Sequence, residues 1–282
     1  MKRIVSLGLG WLIWAGAALG APCGNDASGF EAWKAEFAKE ARKAGVRGKG
    51  LRALARAQYA TRTIAADRQQ KSFRYGLEKV HAGARRRCDR GPGAQAQVPH
   101  PPEFYAALER RYGVSAGILI AIHGMETGFG WFMGDSPVVS AIATLAYDCR
   151  RPELFRPHAI GALKLVDRGS ITATTLGARH GELGHTQFLP GNALRYGVDG
   201  NGDGRVDLYD VTDALASTAN YLRRKGWKRG KGYQPGQPNF AVLKEWNAAT
   251  VYQQALAIMG GENRPPVKNR RDGTRPAACH QV

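Results

Sequence analysis

Residues 118–122 read Ile-Leu-Ile-Ala-Ile, and residues 124–130, Gly-Met-Glu-Thr-Gly-Phe-Gly, follow them after a single histidine. The apolar run is typical of a buried helix, and the glycines predict a tight turn at its end. Glu126 therefore lies at the end of an apolar segment, an arrangement typical of a desolvated general acid. A helix-end carboxylate exposed to water is the alternative, and residue type alone favours that alternative.

A second glycine-bounded stretch, Gly184-His-Thr-Gln-Phe-Leu-Pro190, brings polar and aromatic side chains to another tight turn. The side-chain amide of Gln187 and the ring of Phe188 are groups that a sugar-binding site needs. The two stretches together indicate where a cleft with one acid group would lie.

Helical periodicity dominates the chain, which predicts a mainly α (α+β) fold with at most one small hairpin. Ser115 is the expected N-cap of the helix that carries Glu126, and Gly226 is expected just after a helix end. The other predicted helices are Phe30–Ala44, Leu51–Ala60, Phe73–Ala82, Phe104–Tyr112, Val138–Tyr147, Leu154–Val166, Asp213–Lys225 and Thr250–Met259.

The N-terminus has the pattern of a cleaved signal peptide. Two basic residues precede an apolar run from Ile4 to Leu19, and small residues predict cleavage after Gly20. We therefore expect an exported, soluble protein. The expected organisation is 1–20 signal peptide, 21–100 helical N-terminal lobe and linker, 101–260 catalytic domain, and 261–282 a basic, flexible tail.

The formal net charge of +18 implies an anionic partner or surface. Export argues against nucleic acid, so we expect an anionic cell-wall polymer or the membrane surface to attract the chain electrostatically. Basic runs at residues 85–87 and 223–225 are typical of solvated faces and not of specific recognition.

Four cysteines enter an oxidising compartment if the chain is exported, and there they tend to pair. Four cysteines allow three connectivities. We expect Cys23–Cys88 and Cys149–Cys279, with free buried thiols as the alternative. A zinc site is not expected, because the sequence contains no Cys-x-x-Cys or His-x-x-x-His spacing.

Residues 199–210, Asp-Gly-Asn-Gly-Asp-Gly-Arg-Val-Asp-Leu-Tyr-Asp, have the spacing of a calcium loop. Asp210 stands where glutamate is usual, and its shorter reach makes Asp213 an alternative closing ligand. A turn without an ion is the other interpretation. With no second loop visible, we expect a structural calcium ion held by Asp199, Asn201, Asp203, Arg205 through its carbonyl, Asp210 and Asp213.

In this order and spacing, the segments resemble the membrane-bound type B family of lytic murein transglycosylases, which carry a lysozyme-like catalytic domain. The likeness runs from about Phe104 to Met259 and more weakly back to Phe30. The matching pieces are Glu126-Thr-Gly-Phe-Gly, Phe132-Met-Gly-Asp, Ala143-Thr-Leu-Ala-Tyr, Gly184-His-Thr-Gln-Phe-Leu-Pro, Asp199-Gly-Asn-Gly-Asp-Gly, Ala219-Asn-Tyr-Leu, and Asn239-Phe through Glu245-Trp-Asn247.

We expect a periplasmic, monomeric enzyme without an organic cofactor, and the resemblance implies its substrate and reaction. Its partner is peptidoglycan, in which it cleaves the β-1,4 bond between N-acetylmuramic acid and N-acetylglucosamine and forms 1,6-anhydromuramyl products. Glu126 is then the single acid/base, assisted by the acetamido group of the substrate. The resemblance therefore favours a catalytic Glu126 over an exposed helix-end carboxylate.

Six further site residues are carried over by matched position or charge. Gln187 is expected to hydrogen-bond sugar groups; an ordinary turn residue is the alternative. The remaining expected substrate-binding residues are Tyr221, Tyr252, Asn247, Arg150 and Arg151. Their alternatives are core aromatics with satisfied hydroxyls for the tyrosines, a helix cap for the asparagine, and solvated charges for the arginines.

This chain departs from the family pattern at Ala178, where a serine is often found, and at Glu182, which adds a second carboxylate near the site. Two rival functions therefore stay open. A hydrolytic muramidase would need a carboxylate that activates water, for which Glu182 and Asp135 are the candidates. A non-catalytic peptidoglycan-binding or scaffold protein of the same fold is the other.

Overall fold

The computed structural model describes residues 21–69 and 100–262, and these form a mostly helical fold. One antiparallel pair of two-residue strands, β1 (Ser136–Pro137) and β2 (Leu176–Gly177), accompanies the helices. The helices are α1 (Phe30–Lys43), α2 (Gly48–Arg56), α3 (Thr61–Arg68), α4 (Pro102–Tyr112), α5 (Ala116–Thr127), α6 (Val138–Tyr147), α7 (Pro152–Arg168), α8 (Pro190–Tyr196), α9 (Val211–Arg224), α10 (Leu243–Trp246, after a 3-10 turn Phe240–Val242) and α11 (Thr250–Glu262).

Helix α5 is buried on every side, because its apolar residues leave no polar face. Helices α4, α9 and α11 pack against it. Helix α6 is similarly apolar and is covered by α7, while α7 also packs against α2 and α8. Glu126, in the last turn of α5, is the exception to this burial and is only half-buried. The apolar run seen in the sequence thus positions a single carboxyl group at its end.

The first three helices share this core. Phe30, Trp33 and Phe37 lie on one face of α1 and are buried. Trp33 stacks on Phe37 with 4.6 Å between the ring centroids, and Phe30 packs edge-on against Tyr147 of α6 at 5.5 Å. Phe30 and Trp33, two of the three aromatic residues at helical spacing, therefore contact α6 through Tyr147.

Most predicted helices are present with small shifts at their ends. Helix α6 has the predicted bounds, and Ser115 occupies the N-cap position of α5, although its side chain makes no capping hydrogen bond. Helices α3, α8 and α10 were not predicted. The predicted helix Phe73–Ala82, the signal peptide and residues 263–282 of the predicted tail lie outside the described residues. The first two residues predicted for the tail instead end helix α11.

The helix predicted at Leu51–Ala60 is wrong at both ends, since α2 runs from Gly48 to Arg56. Beyond it the backbone polar groups bond to other elements: Lys34 Nζ donates to Ala57 O at 2.7 Å, and Ala60 N donates to Thr144 Oγ1 at 2.9 Å. These tertiary contacts replace helical hydrogen bonds, and propensity alone does not reveal them.

The predicted hairpin is also different in kind. Ser136 pairs with Gly177 and Pro137 with Leu176, so α6 and α7 separate the two strands along the chain. None of the helices within 21–69 and 100–262 is both long and apolar enough to cross a bilayer.

A disulfide bond joins Cys23 to Cys149, so the expected pairs Cys23–Cys88 and Cys149–Cys279 are wrong. The segment around Gly24 lies beside the end of α6, where Gly24 N donates to Tyr147 O at 3.0 Å and Cys149 N donates to Gly24 O at 3.2 Å. A β-carbon on Gly24 would lie 1.9 Å from Tyr147 Oη, so this close approach requires glycine. Cys88 and Cys279 lie outside the described residues.

Replacing Cys149 with serine should lower the free energy of unfolding by about 2–5 kcal/mol, because the bond closes a long loop and restricts the unfolded chain. For a domain of this size that is roughly 2–4 °C of melting temperature per kcal/mol. Thermal unfolding with and without dithiothreitol measures it. The double variant Cys88→Ser/Cys279→Ser is the control and should still respond to the reductant; equal melting of Cys149→Ser and the parent would contradict the prediction.

Candidate active site

Glu126 is held by hydrogen bonds from the C-terminal helices. Trp246 Nε1, in α10, donates to Glu126 Oε1 at 3.0 Å, and the hydroxyl of Tyr252, in α11, donates to the same oxygen at 2.6 Å. Two donors on one oxygen fix the plane of the carboxyl group. The acid group is therefore pre-oriented at the end of α5.

The turn after Glu126 is anchored to the second glycine-bounded turn. Thr127 Oγ1 donates to His185 O at 2.7 Å and accepts from Gly130 N at 2.9 Å. Beneath it, His123 Nε2 and His185 Nδ1 lie 3.0 Å apart. A β-carbon on Gly130, which has a φ of +87°, would lie 2.3 Å from the His185 ring. Here the glycine serves both the backbone conformation and the close approach of the imidazole.

Gln187 lies on this second turn with a left-handed backbone, φ +53°. Its side-chain nitrogen donates to Gly184 O at 2.8 Å and to Met133 O at 3.3 Å, so it bridges the turn and the segment after α5. Phe129, with φ +62°, is the other non-glycine residue with a positive φ among the described residues. Both unusual conformations occur within a few residues of the Glu126 cleft, as is typical of functional sites.

Two cavities meet at Glu126. The first, of about 320 Å³, is lined by side chains of α5, α8, α9, α10 and the 178–189 loop. The second, of about 330 Å³, includes the exposed aromatic residues Trp131 and Phe132. Glu126, Ala178 and Gln187 line both cavities. The carboxyl group is thus at the junction of a continuous cleft, where a chain-like ligand could extend to either side.

Tyr221 and Asn247 also line the first cavity. The Tyr221 hydroxyl donates to Glu245 O at 2.5 Å, and burial raises its pKa. Asn247 Oδ1 accepts from Ala249 N at 2.9 Å, just before α11. The polar groups of Tyr221 and Asn247 thus make hydrogen bonds within the protein, as the structural alternatives to substrate binding predict. Both residues nevertheless line the cavity.

Arg150 and Arg151 are not among the residues that line the two cavities. Both guanidinium groups hydrogen-bond to the carboxylate of Asp67, which is buried in α3. Desolvation of Asp67 would raise its pKa, but the hydrogen bonds and charges of the two arginines prevail and lower it. The arginines therefore tie α3 to the loop between α6 and α7.

A second titratable pair lies in the wall of the first cavity. Burial raises the pKa of Glu182 to about 7, against the effect of backbone hydrogen bonds from Glu182 itself and from His180. Burial also lowers the pKa of His180; the charge of Asp67 opposes this, and those of Arg151 and Arg150 add to it. Asp135, the other candidate for water activation, is exposed and hydrogen-bonds to Arg62 of α3 at 2.6 Å.

The predicted calcium loop packs behind the cleft, since His185 N donates to Leu208 O at 2.9 Å. Its donor atoms are oxygens, which suit a hard cation. The Asp199 carboxylate accepts from the backbone of residues 202, 203 and 204, and the buried Asp213 carboxylate accepts from 200, 201 and 207. Asp210 caps α9. Across 21–69 and 100–262, no three acidic, histidine or cysteine side chains are grouped to hold a metal ion.

Sequence reasoning missed three aromatic side chains of the cleft. Trp246 bonds to Glu126, and its place beside Asn247 in a matching segment was the available signal. Trp131 and Phe132 are 56% and 57% exposed, and only their proximity to Glu126 along the chain could have indicated a surface role.

Comparison with known proteins agrees with this geometry. The transglycosylase SLT domain family matches residues 29–237. Membrane-bound lytic murein transglycosylase B of Escherichia coli is 36% identical over 149 residues, which are 49% of this chain and 41% of that protein. The chain thus matches less than half the length of this curated relative.

Two solved structures are similar in fold. SltB3 of Pseudomonas aeruginosa, in complex with NAG-NAM-pentapeptide, has a TM-score of 0.73 at 28% identity, with 83% of this chain and 79% of that chain covered. The lytic transglycosylase Slt35 of Escherichia coli, in complex with calcium, has a TM-score of 0.65 at 21% identity, with 86% and 95% covered. The resemblance seen in the sequence is confirmed, and the chain belongs to the transglycosylase SLT domain family.

Proposed function

We propose that this protein is a lytic transglycosylase. Its substrate is the β-1,4 bond between N-acetylmuramic acid and N-acetylglucosamine in peptidoglycan, and its product carries a 1,6-anhydromuramyl end. The observation that carries the proposal is a single oriented carboxyl group, Glu126, at the junction of two cavities. Family membership and the relatives named as lytic transglycosylases support it.

In the first step, protonated Glu126 gives its proton to the glycosidic oxygen that leaves. The acetamido oxygen of the muramyl sugar bonds to the anomeric carbon as the glycosidic bond breaks, so that the protein supplies no nucleophile. Trp246 and Tyr252 keep the carboxyl group aimed at the bond.

In the second step, the Glu126 carboxylate takes the proton of the C6 hydroxyl. The C6 oxygen bonds to the anomeric carbon, and the acetamido oxygen is released. Glu126 returns to its protonated form and no water is consumed. Aromatic walls favour this outcome, because they exclude water from the reacting centre.

Substrate binding is proposed to extend over both cavities. Gln187, Tyr221 and Asn247 form one side, and Trp131 and Phe132 offer exposed rings on the other. SltB3 was solved with a peptidoglycan fragment, which supports a glycan as the ligand. Arg150 and Arg151 are proposed to meet charged groups of the substrate only at the outer edge of the cleft, since one guanidinium nitrogen of each is engaged by Asp67.

The proposed place of action is the periplasm, reached through the signal peptide of residues 1–20. The charge of +18 supports electrostatic attraction to the anionic wall or membrane surface. A calcium ion in the loop at residues 199–210 remains part of the proposal. It would stabilise the support behind His185 and take no part in the reaction.

Digestion of purified peptidoglycan by the mature protein should release anhydromuropeptides, and Glu126→Gln should release none because the amide cannot transfer the proton. Mass spectrometry of the products is the measurement. Products with reducing ends would indicate a hydrolytic muramidase instead. Intact glycan after treatment with folded parent protein would favour the binding or scaffold function.

Tyr252→Phe and Trp246→Phe should each lower kcat by roughly 10- to 100-fold, because each removes one hydrogen bond to the reacting carboxyl group. Initial rates of muropeptide release measure the effect. Tyr233→Phe is the matched control; its buried ring lies outside both cavity linings. Rates within twofold of the parent for both cleft variants would disprove the proposed orienting role.

Calcium at a hundredfold excess over its Kd should stabilise the protein by about 2.7 kcal/mol. Melting temperatures in calcium and in a chelator measure this. Asp203→Asn keeps an oxygen acceptor but loses a charge in the exposed loop, so its response should be weaker. Identical melting of the parent protein in both buffers would exclude a structural calcium ion.

A further inference from the structure

Glu182 is a cleft carboxyl group that the proposed mechanism does not use. A tight turn positions it: Ala178 N donates to Glu182 O at 2.8 Å, and Gly181 N donates to Ala178 O at 2.9 Å. Gly181 packs against Ile142 of α6, so this turn lies directly on the core. Glu182 is therefore a fixed part of the wall of the first cavity.

Two polar atoms in this wall are buried without a partner. Within the part of the chain that the structure describes, neither Glu182 Oε2 nor His180 Nε2 has a hydrogen bond, and both residues line the first cavity. A buried polar atom without a partner costs free energy, which a ligand recovers if it supplies the missing bond. Two such atoms in a cavity that Glu126 also lines favour a ligand that carries a polar group there.

The charge state of the pair narrows the choice of that group. Burial raises the pKa of Glu182 to about 7, so this carboxyl group is mostly uncharged in mildly acidic solution, and burial lowers the pKa of His180, which favours its neutral form. A neutral carboxylic acid offers an O–H donor next to a carbonyl acceptor. The acetamido group of a sugar offers its carbonyl oxygen as the acceptor for this O–H. Its N–H points the opposite way because the amide is trans, so the carboxyl group forms one hydrogen bond with it.

We propose that uncharged Glu182, with His180 beside it, binds the acetamido group of a sugar in the first cavity. The inference rests on the proposed function, because the sugars of peptidoglycan carry acetamido groups. It gives Glu182 a substrate-binding role that differs from proton transfer by Glu126. Ionisation of Glu182 removes the O–H donor, so binding weakens as the pH rises through about 7.

The pKa of about 7 places the titration of Glu182 inside this pH range. From α9, Tyr221 has a raised pKa, and on the same loop His180 has a lowered one. Beyond His180, Asp67 has a lowered pKa and is paired with two arginines. From α5, Glu126 faces the same cavity, and its replacement by glutamine removes its titration.

Binding should therefore be measured in the Glu126→Gln protein, by calorimetry with the tetramer of N-acetylglucosamine at pH 6.0 and 8.5. This probe carries acetamido groups but no ionisable group, so any pH dependence belongs to the protein. We expect the Kd to rise by about tenfold between the two pH values, the effect of one good hydrogen bond.

Two variants of the Glu126→Gln protein test whether the pH dependence of binding comes from Glu182. Glu126→Gln/Glu182→Gln keeps a donor and an acceptor but cannot ionise, so its Kd should match the parent at pH 6.0 and stay constant to pH 8.5. Glu126→Gln/Glu182→Ala should bind about tenfold more weakly at both pH values. Glu153→Gln, at an exposed position of α7, is the matched control and should keep the parental pH dependence.

Three results would overturn the inference: equal affinity of the Glu182→Ala and parental proteins at pH 6.0, tighter binding at higher pH, or no binding by the parental Glu126→Gln protein. Thermal unfolding shows whether the alanine variant is folded. If it is unfolded, the pH dependence of binding by the glutamine variant tests the inference. Products released by the wild-type protein are assayed separately. If the products carry anhydro ends but binding does not depend on Glu182, this inference is rejected and the proposed function stands.

Discussion

The hydrogen bond from Thr127 to His185 joins the two glycine-bounded turns on which the cleft depends. One turn ends the helix that carries Glu126, and the other carries Gln187. The His123–His185 contact beneath this bond and the bond from Gln187 to Met133 O add to this connection between segments that are distant along the chain. His123 is buried and uncharged, because burial and then the neighbouring His185 lower its pKa to about 3. The turn therefore rests on a neutral imidazole, which suits its apolar surroundings.

The fold was predictable wherever local pattern and burial coincide. The aromatic spacing in α1 and the apolar runs of α5 and α6 each identified a helix and its buried face. The end of α2 and the partner of Cys23 were not predictable, because both depend on contacts between distant segments. Lys34 and Thr144 bond to backbone beyond α2, and the end of α6 positions Cys149 beside Cys23.

In the candidate site too, residues marked by local sequence were predictable, and residues placed by contacts between distant segments were not. Glu126 and Gln187 stand beside glycines that force turns, so local sequence indicated them. Trp246 was missed because its role is a single bond across 120 residues. Arginines 150 and 151 illustrate the converse, since their charge suggested a ligand while the buried Asp67 engages both. Charge patterns in sequence do not distinguish an internal counter-ion from an external one.

The bond between Cys23 and Cys149 encloses α1, α2, α3, α4, α5 and α6 in one covalent ring. Any single backbone cleavage between these two cysteines opens the ring but leaves both pieces attached. The helix that carries Glu126 lies inside the ring, and Gln187, Trp246 and Tyr252 lie beyond it. A single cleavage between residues 127 and 149 would thus leave Glu126 covalently joined to the part of the chain that carries Gln187, Trp246 and Tyr252.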